Sequence, residues 1–272
     1  MTRLRTSVSI ALSLALAPTM AMARSIPVNN GELGESFQMA QKYQPPANLG
    51  KPPTTGGGTR GNFKCQQDLG LPNPQPPLTP LMPLLAPNVG SVGVTVSERP
   101  EFFVYVPQTS ADRAEFILTD EENNEIYQTI LPLPSKAGIV SVNLPETEPP
   151  LEVGKNYRWF FAVICNPDDR IEDLVVEGWT QRREIEEGLE AKLEETTRVG
   201  DRSLIYATNG IWHEALSNLA EEIRNSSSNL VAIERWKILL ASAGLDKVIE
   251  VPLSLSSPDA IDVSEEKILP LN

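Results

Sequence analysis

The chain has one histidine, His213, and two cysteines, Cys65 and Cys165, in 272 residues. None of the three stands in a C-x-x-C or H-x-x-x-H spacing, so a zinc site built from them is a poor reading. No G-x-S-x-G turn is present, which removes the nucleophile elbow a Ser-His-Asp hydrolase would need. The glycines within 56–61 run into Asn62 and Phe63 rather than Gly-Lys-Ser/Thr. They therefore read as a flexible turn leading to Cys65, and not as a phosphate-binding loop. Clustered basic residues are missing too: 23 Lys and Arg face 36 Asp and Glu, for a net charge of −13. Proteins that hold nucleic acid neutralise phosphates with such clusters, so DNA and RNA drop out as partners. The leading apolar run, 8–17, stops before Pro18 at about half the roughly 20 residues a spanning helix needs.

That run has Arg3 and Arg5 ahead of it and Ala21-Met22-Ala23 behind it, the three parts of a Sec-type signal peptide cut before Arg24. No cysteine lies near the cut, so lipoprotein processing is not indicated. The mature chain is expected to be soluble, without membrane insertion, in the periplasm or outside the cell. Cleavage at residue 23 removes two arginines and no acid, which takes the charge from −13 to −15. Such acidity makes a solvated surface that avoids anionic membranes, and it names no ligand. In an oxidising space the two cysteines allow one intramolecular pairing, Cys65 with Cys165, against two buried thiols or an intermolecular bond. Closing a loop of about 100 residues contributes roughly 4 to 5 kcal/mol in the chain-entropy model.

Composition divides the remainder. Residues 24–87 are dense in proline and glycine, with too little apolar surface to offset the ordering entropy, and read as an extended tether. Between 88 and 182, short β-branched and aromatic runs alternate with turn residues. The expected strands are 91–96, 101–106, 114–119, 125–131, 138–143, 157–165 and 173–181, with a polar hairpin turn at 120–124. Seven close strands without helices between them predict an antiparallel sandwich of the immunoglobulin or fibronectin type III kind. Leu151, Gly154 and Tyr157, three apart, resemble the tyrosine corner of such sandwiches. Trp159, Phe161 and Val163 alternate with Phe160, Ala162 and Ile164, which makes that strand central.

From 183 to 251 the period is helical, before a tail at 252–272. Ile185, Leu189 and Leu193 form one stripe. Trp212, Ala215, Leu216, Leu219 and Ile223 form a second, and Leu230, Ile233, Trp236, Leu240 and Ala243 a third that ends at Gly244. The fold class is therefore α+β, with a helical hairpin of two or three antiparallel helices after the sandwich. Tyr206, Gly210, Trp212, Ala215 and Leu219 resemble a tetratricopeptide unit in their spacing. Arg202, Glu222 and Ser227 depart from it, standing where a leucine, an alanine and a proline are usual. One unit cannot cover its own faces, so it must pack on the sandwich or on a partner.

Several blocks in order carry a wider likeness: Thr55-Gly56-Gly57-Gly58-Thr59-Arg60-Gly61, Thr95-Val96-Ser97-Glu98-Arg99-Pro100, residues 151–161, Cys165-Asn166-Pro167-Asp168-Asp169-Arg170 and Gly210-Ile211-Trp212. From about 55 to 252 the chain resembles the domain of unknown function 928 family. The resemblance implies an exported protein, mainly cyanobacterial, with no assigned activity, and an envelope or secreted partner of adhesin-like kind.

The chemistry is thin. His213 follows a core tryptophan by one residue, so it should lie on a solvated helix flank. Asp168, Asp169 and Asp173 are the best local candidates for calcium, although their spacing does not match an EF-hand loop and an Asp-rich turn explains them as well. Trp212 and Trp236 are candidate partner-binding anchors, or else anchors of the helices on the sandwich. No catalytic residue and no cofactor is assigned. The expected function is a non-enzymatic binding or structural protein of the cell envelope. The alternative is an envelope hydrolase that acts on glycan or peptide through paired carboxylates. Non-reducing peptide mapping of exported protein should recover one fragment linking Cys65 to Cys165, and two free thiols would contradict the pairing.

Overall fold

The fold is that of a computed structural model describing residues 42–46, 49, 65–70, 76–84 and 92–251, with a further strand at Leu255–Ser256. The leader at 1–23, the glycine run at 56–61 and the rest of the tail lie outside the described residues.

The seven expected strands form, with ends shifted by at most two residues: β2 (Val92–Thr95), β3 (Glu101–Val106), β4 (Arg113–Thr119), β5 (Glu125–Pro132), β6 (Gly138–Asn143), β7 (Asn156–Val163) and β8 (Leu174–Arg182). Two short strands join them, β1 (Thr79–Pro80) and β9 (Leu255–Ser256). One sheet has the order β1-β3-β6-β9 and the other β2-β8-β7-β4-β5. β7 is central, as its alternating aromatics require, with Trp159 and Phe161 fully buried. Phe102 of β3 joins the two sheets, its ring 5.0 Å from Phe116 and 5.7 Å from Trp159. Asn123 takes a left-handed φ of 66° in the β4–β5 turn, where the Asp120 carboxylate accepts from the Asn124 amide at 2.7 Å. The tyrosine corner is present: the Tyr157 hydroxyl accepts from the Glu152 amide at 2.8 Å over a buried Leu151.

Pairing departs from the expected pattern in two places. β2 runs parallel to β8, and β9 parallel to β6, so the sheets are mixed. Periodicity reports which face of a strand is buried but carries no information on strand direction.

The helices are α1 (Glu187–Glu195), α2 (Val199–Thr208), α3 (Trp212–Asn225) and α4 (Leu230–Ser242). α2 packs on α3, α3 on α4, and α3 lies against β2 and β3. The small sheet is thereby covered on both faces. From Phe102 to Val106, β3 is buried at every residue, and Phe103 turns its ring to Trp236, 6.2 Å away. Trp212 and Trp236 are both completely buried. They pack the helices onto the rest of the core: Trp236 faces Phe103, and Trp212 is covered by Tyr43. No helix among the described residues is long and apolar enough to cross a membrane.

The proline-rich segment is anchored in three stretches. Cys65 bonds Cys165, with Cα atoms 5.2 Å apart across 100 residues of sequence. Leu78, Leu81 and Met82 are buried, and the Leu81 amide donates to the Phe103 carbonyl at 2.9 Å. Residues 42–46 lie on the helices, with Tyr43 buried. A few large apolar residues and one disulfide suffice to fix pieces of a segment whose average composition reads as a tether.

Two glycines separate packing from backbone propensity. A Cβ at Gly178 would lie 2.6 to 2.9 Å from the Trp159 indole, whereas one at Gly188, inside α1, would meet nothing within 4 Å. Gly178→Ala is expected to cost about 1 to 3 kcal/mol by overpacking. Gly188→Ala should be neutral or stabilise by up to about 1 kcal/mol. Urea midpoints at constant m-value measure both.

Candidate functional site

The most polar part of the interior lies where α3 starts. α2 ends in a Schellman motif: the Gly210 amide donates to the Ala207 carbonyl at 3.2 Å and the Ile211 amide to that of Tyr206 at 3.0 Å. Gly210 takes the left-handed φ of 72° the motif demands. The chain then re-enters a helix at Trp212, so the whole first turn of α3 is pushed between the two sheets, α2 and α4. Trp212, His213, Glu214, Ala215 and Leu216 are all buried.

Each polar side chain of that turn finds a partner elsewhere in the chain. The Trp212 indole N–H donates to the Leu81 carbonyl at 2.8 Å. His213 bridges the sheets, with Nε2 3.0 Å from the Thr180 hydroxyl on β8 and Nδ1 3.1 Å from the Glu101 carbonyl on β3. A carbonyl only accepts, so Nδ1 carries the proton and Nε2 accepts from Thr180. Phe102 sets its ring 5.4 Å from the imidazole, edge on. The Oε1 atom of Glu214 accepts from the Thr95 hydroxyl at 2.5 Å, the Ser97 amide at 2.9 Å and the Val96 amide at 3.2 Å. Its Oε2 is buried and has no hydrogen-bond partner among the described residues. At the far end of α3, Arg224 reaches the Glu101 carboxylate at 2.6 Å and the Ser141 hydroxyl at 2.9 Å. Glu101 thus receives both ends of the helix, one on its backbone and one on its side chain.

Burial decides the charge states. It lowers His213 from 6.5 to about 4, against a smaller opposing effect of the Glu101 carbonyl. It raises the Glu214 carboxyl above its ordinary range, against the donors from Thr95, Ser97 and Val96. His213 is therefore neutral at pH 7. For Glu214 the two influences oppose each other: burial favours the neutral acid and the three donors on Oε1 favour the carboxylate, with burial the larger.

His213 is not on a solvated flank. α3 is the middle helix of its layer, so the flank of its apolar stripe meets the sandwich rather than water. Glu214, Thr95 and Thr180 carried no signal of their own, although Thr95 and Ser97 belong to one family-like block and His213 and Glu214 directly follow another.

The Asp-rich loop is built from its own contacts. Asp173 is buried and accepts from Arg170 at 2.5 Å and from the Cys165 amide at 3.2 Å. Asp169 accepts from the Ile171 amide at 3.2 Å as the N-cap of a short turn. The Asn166 side chain accepts from the Asp168 amide at 3.0 Å. The three aspartates do not converge. Among the described residues no group of three His, Cys, Asp or Glu side chains is placed to hold a metal ion. Arg170 also pairs with Glu115 at 2.7 Å, so the nearby acids Glu115 and Asp173 share one guanidinium.

Two of the family-like blocks, 95–100 and 151–161, meet in space. The Leu151 amide donates to the Glu98 carbonyl at 3.0 Å, Arg99 donates to the Glu148 carbonyl at 2.9 Å and to that of Pro145, and Arg182 donates to the Leu151 carbonyl. Glu214, beside Trp212, closes on residues 95–97. The family model Domain of Unknown Function (DUF928) matches residues 55–253, and the chain belongs to this family. Among curated proteins, none matches the sequence.

His213 makes stability depend on pH. The unfolded imidazole takes up a proton below about pH 6.5, whereas the folded one resists until about 4. In that window the unfolded state binds more protons, so the contribution is present above 6.5 and is lost as pH falls towards 4. The loss approaches about 3 kcal/mol. Glu214 has the opposite sign, since its raised folded value favours the folded state as the pH falls. Urea stability of wild type and His213→Gln between pH 7 and 4.5 isolates the histidine. The variant should be destabilised at pH 7 but fall less steeply, and parallel curves would contradict a buried neutral His213.

Proposed function

We propose that this protein is an exported binding or structural component of the cell envelope, with no catalytic step of its own. The observation that carries the reading is the commitment of the interior polar groups. His213, the sole histidine, and Thr95, Thr180 and Arg224 bond other parts of the same chain, and together they fasten the helices to the sandwich. The paired carboxylates a glycoside hydrolase needs should be free to exchange protons with substrate. The pair at hand, Glu115 and Asp173, shares Arg170. Export is supported by the leader and by the Cys65–Cys165 bond, a kind of link that persists in oxidising compartments and is rare in the cytosol. The molecule then acts as a rigid scaffold whose partner is an envelope or secreted protein, of adhesin-like kind by the family resemblance.

Fractionation of the source cells, with cross-linking before lysis, tests this. The chain should be recovered outside the cytoplasm, starting at Arg24, with its cysteines bonded and joined to a discrete envelope or secreted protein. Recovery from the cytoplasm with free thiols would contradict the reading. So would turnover of cell-wall glycan or peptide by purified protein that is lost in Glu115→Gln or Glu214→Gln.

A further inference from the structure

Residues 42–46 do not form a helix or strand, yet they are held as a ligand is held. The Tyr43 amide donates to the Ser242 hydroxyl at 2.8 Å, in the last turn of α4. The Gln44 amide donates to the Ala207 carbonyl at 3.0 Å, in the last turn of α2. The Tyr43 ring meets the Trp212 indole edge to face at 5.0 Å, and its hydroxyl lies 3.4 Å from the Gly210 carbonyl. Gly210 leaves room for the rest of the segment: a Cβ there would come within 2.7 Å of the Gln44 carbonyl and of the Pro46 ring. The seat is thus made of two helix C-termini with carbonyl or hydroxyl acceptors to offer, one indole, and one glycine floor.

These parts divide the recognition cleanly. Backbone donors fix an extended chain of any sequence, while the indole selects an aromatic ring and the glycine floor selects the flat ring of a proline. Tyr43-Gln44-Pro45-Pro46 meets every requirement, and a proline pair keeps the preceding residue extended before it binds. The acceptor residues 207–242 fall inside the family match at 55–253, but the segment seated there falls outside it. The seat therefore belongs to the shared domain and its present occupant to the part of the chain beyond it.

We propose that this seat is a peptide-binding site for extended segments of the form Tyr-x-Pro-Pro. In this chain it is occupied in cis, and it takes the same motif from a partner protein when the cis segment yields. The inference rests on the binding role proposed above and names the chemistry of the ligand.

The test uses the full mature chain and a fluorescent peptide with the sequence of residues 42–49, followed by anisotropy. Tyr43→Ala should bind it saturably and at least tenfold more tightly than wild type, in which the tethered segment competes at an effective concentration in the millimolar range. A peptide with alanine for tyrosine, or with glycines for the two prolines, should each lose at least tenfold. Adding Gly210→Ala to the Tyr43→Ala chain should abolish binding. If near-UV circular dichroism finds Tyr43→Ala unfolded, the chain with Pro45→Gly and Pro46→Gly takes its place, since it weakens the hold of the cis segment, so that the peptide can displace it, while leaving a tyrosine to fill the seat when none is bound. No saturable binding to the loosened chain, or binding indifferent to the peptide substitutions, would reduce the contact to intramolecular packing and overturn the proposal. A wild-type dimer that Tyr43→Ala dissolves would make a second copy the occupant and overturn the partner. Failure of the peptide with an intact cross-link to an envelope protein would remove this site alone and leave the binding role standing.

Discussion

Everything in this molecule depends on burying the first turn of α3. A helix N-terminus carries unpaired amides and here three large side chains with polar atoms, and pressing such a turn into a core is costly unless those atoms are bonded. The sandwich supplies the partners: a carbonyl from residue 81, a carbonyl and a hydroxyl from β3 and β8, and two amides with a hydroxyl from residues 95–97. Once they are made, the helices stay on the small sheet, the small sheet is buried on both faces, and the seat for residues 42–46 exists. One atom of the turn, Oε2 of Glu214, is left over among the described residues, and its burial pushes that carboxyl above its ordinary range.

The same arrangement brings together residues that are far apart along the chain. Thr95-Val96-Ser97 ends β2 and receives Glu214. Arg99 and Glu98 from the next residues hold the approach to the tyrosine corner, and Cys165 fixes the proline-rich segment. They read as structural parts of one scaffold.

Much of this was legible in the sequence. Strands at 101–106 and 138–143 were bounded to the residue, because Gly, Pro and Asn flank β-branched runs there. The corner at Leu151, Gly154 and Tyr157 was legible because its residues are few and their spacing is fixed. The helix stripes were equally plain. The seam was not legible, since a stripe of apolar residues predicts one buried face and α3 has more than one. His213 and Glu214 became interior residues only through the helices on either side, which is tertiary information. Nor could composition foresee that Tyr43, Leu78, Leu81 and Met82 would be buried: four large residues are diluted among the many prolines and glycines around them. Strand direction in β2 and β9 was hidden for the reason that periodicity is blind to it.

Sandwich and helices form one cooperative unit, joined through the start of α3, and native-state hydrogen exchange tests this central claim most directly. The slowest amides of β7 and of α4 should share a single opening free energy, equal to that of global unfolding, and fall together in Glu214→Ala. Helix amides that open at a distinctly lower free energy than those of β7, and independently of the substitution, would contradict it.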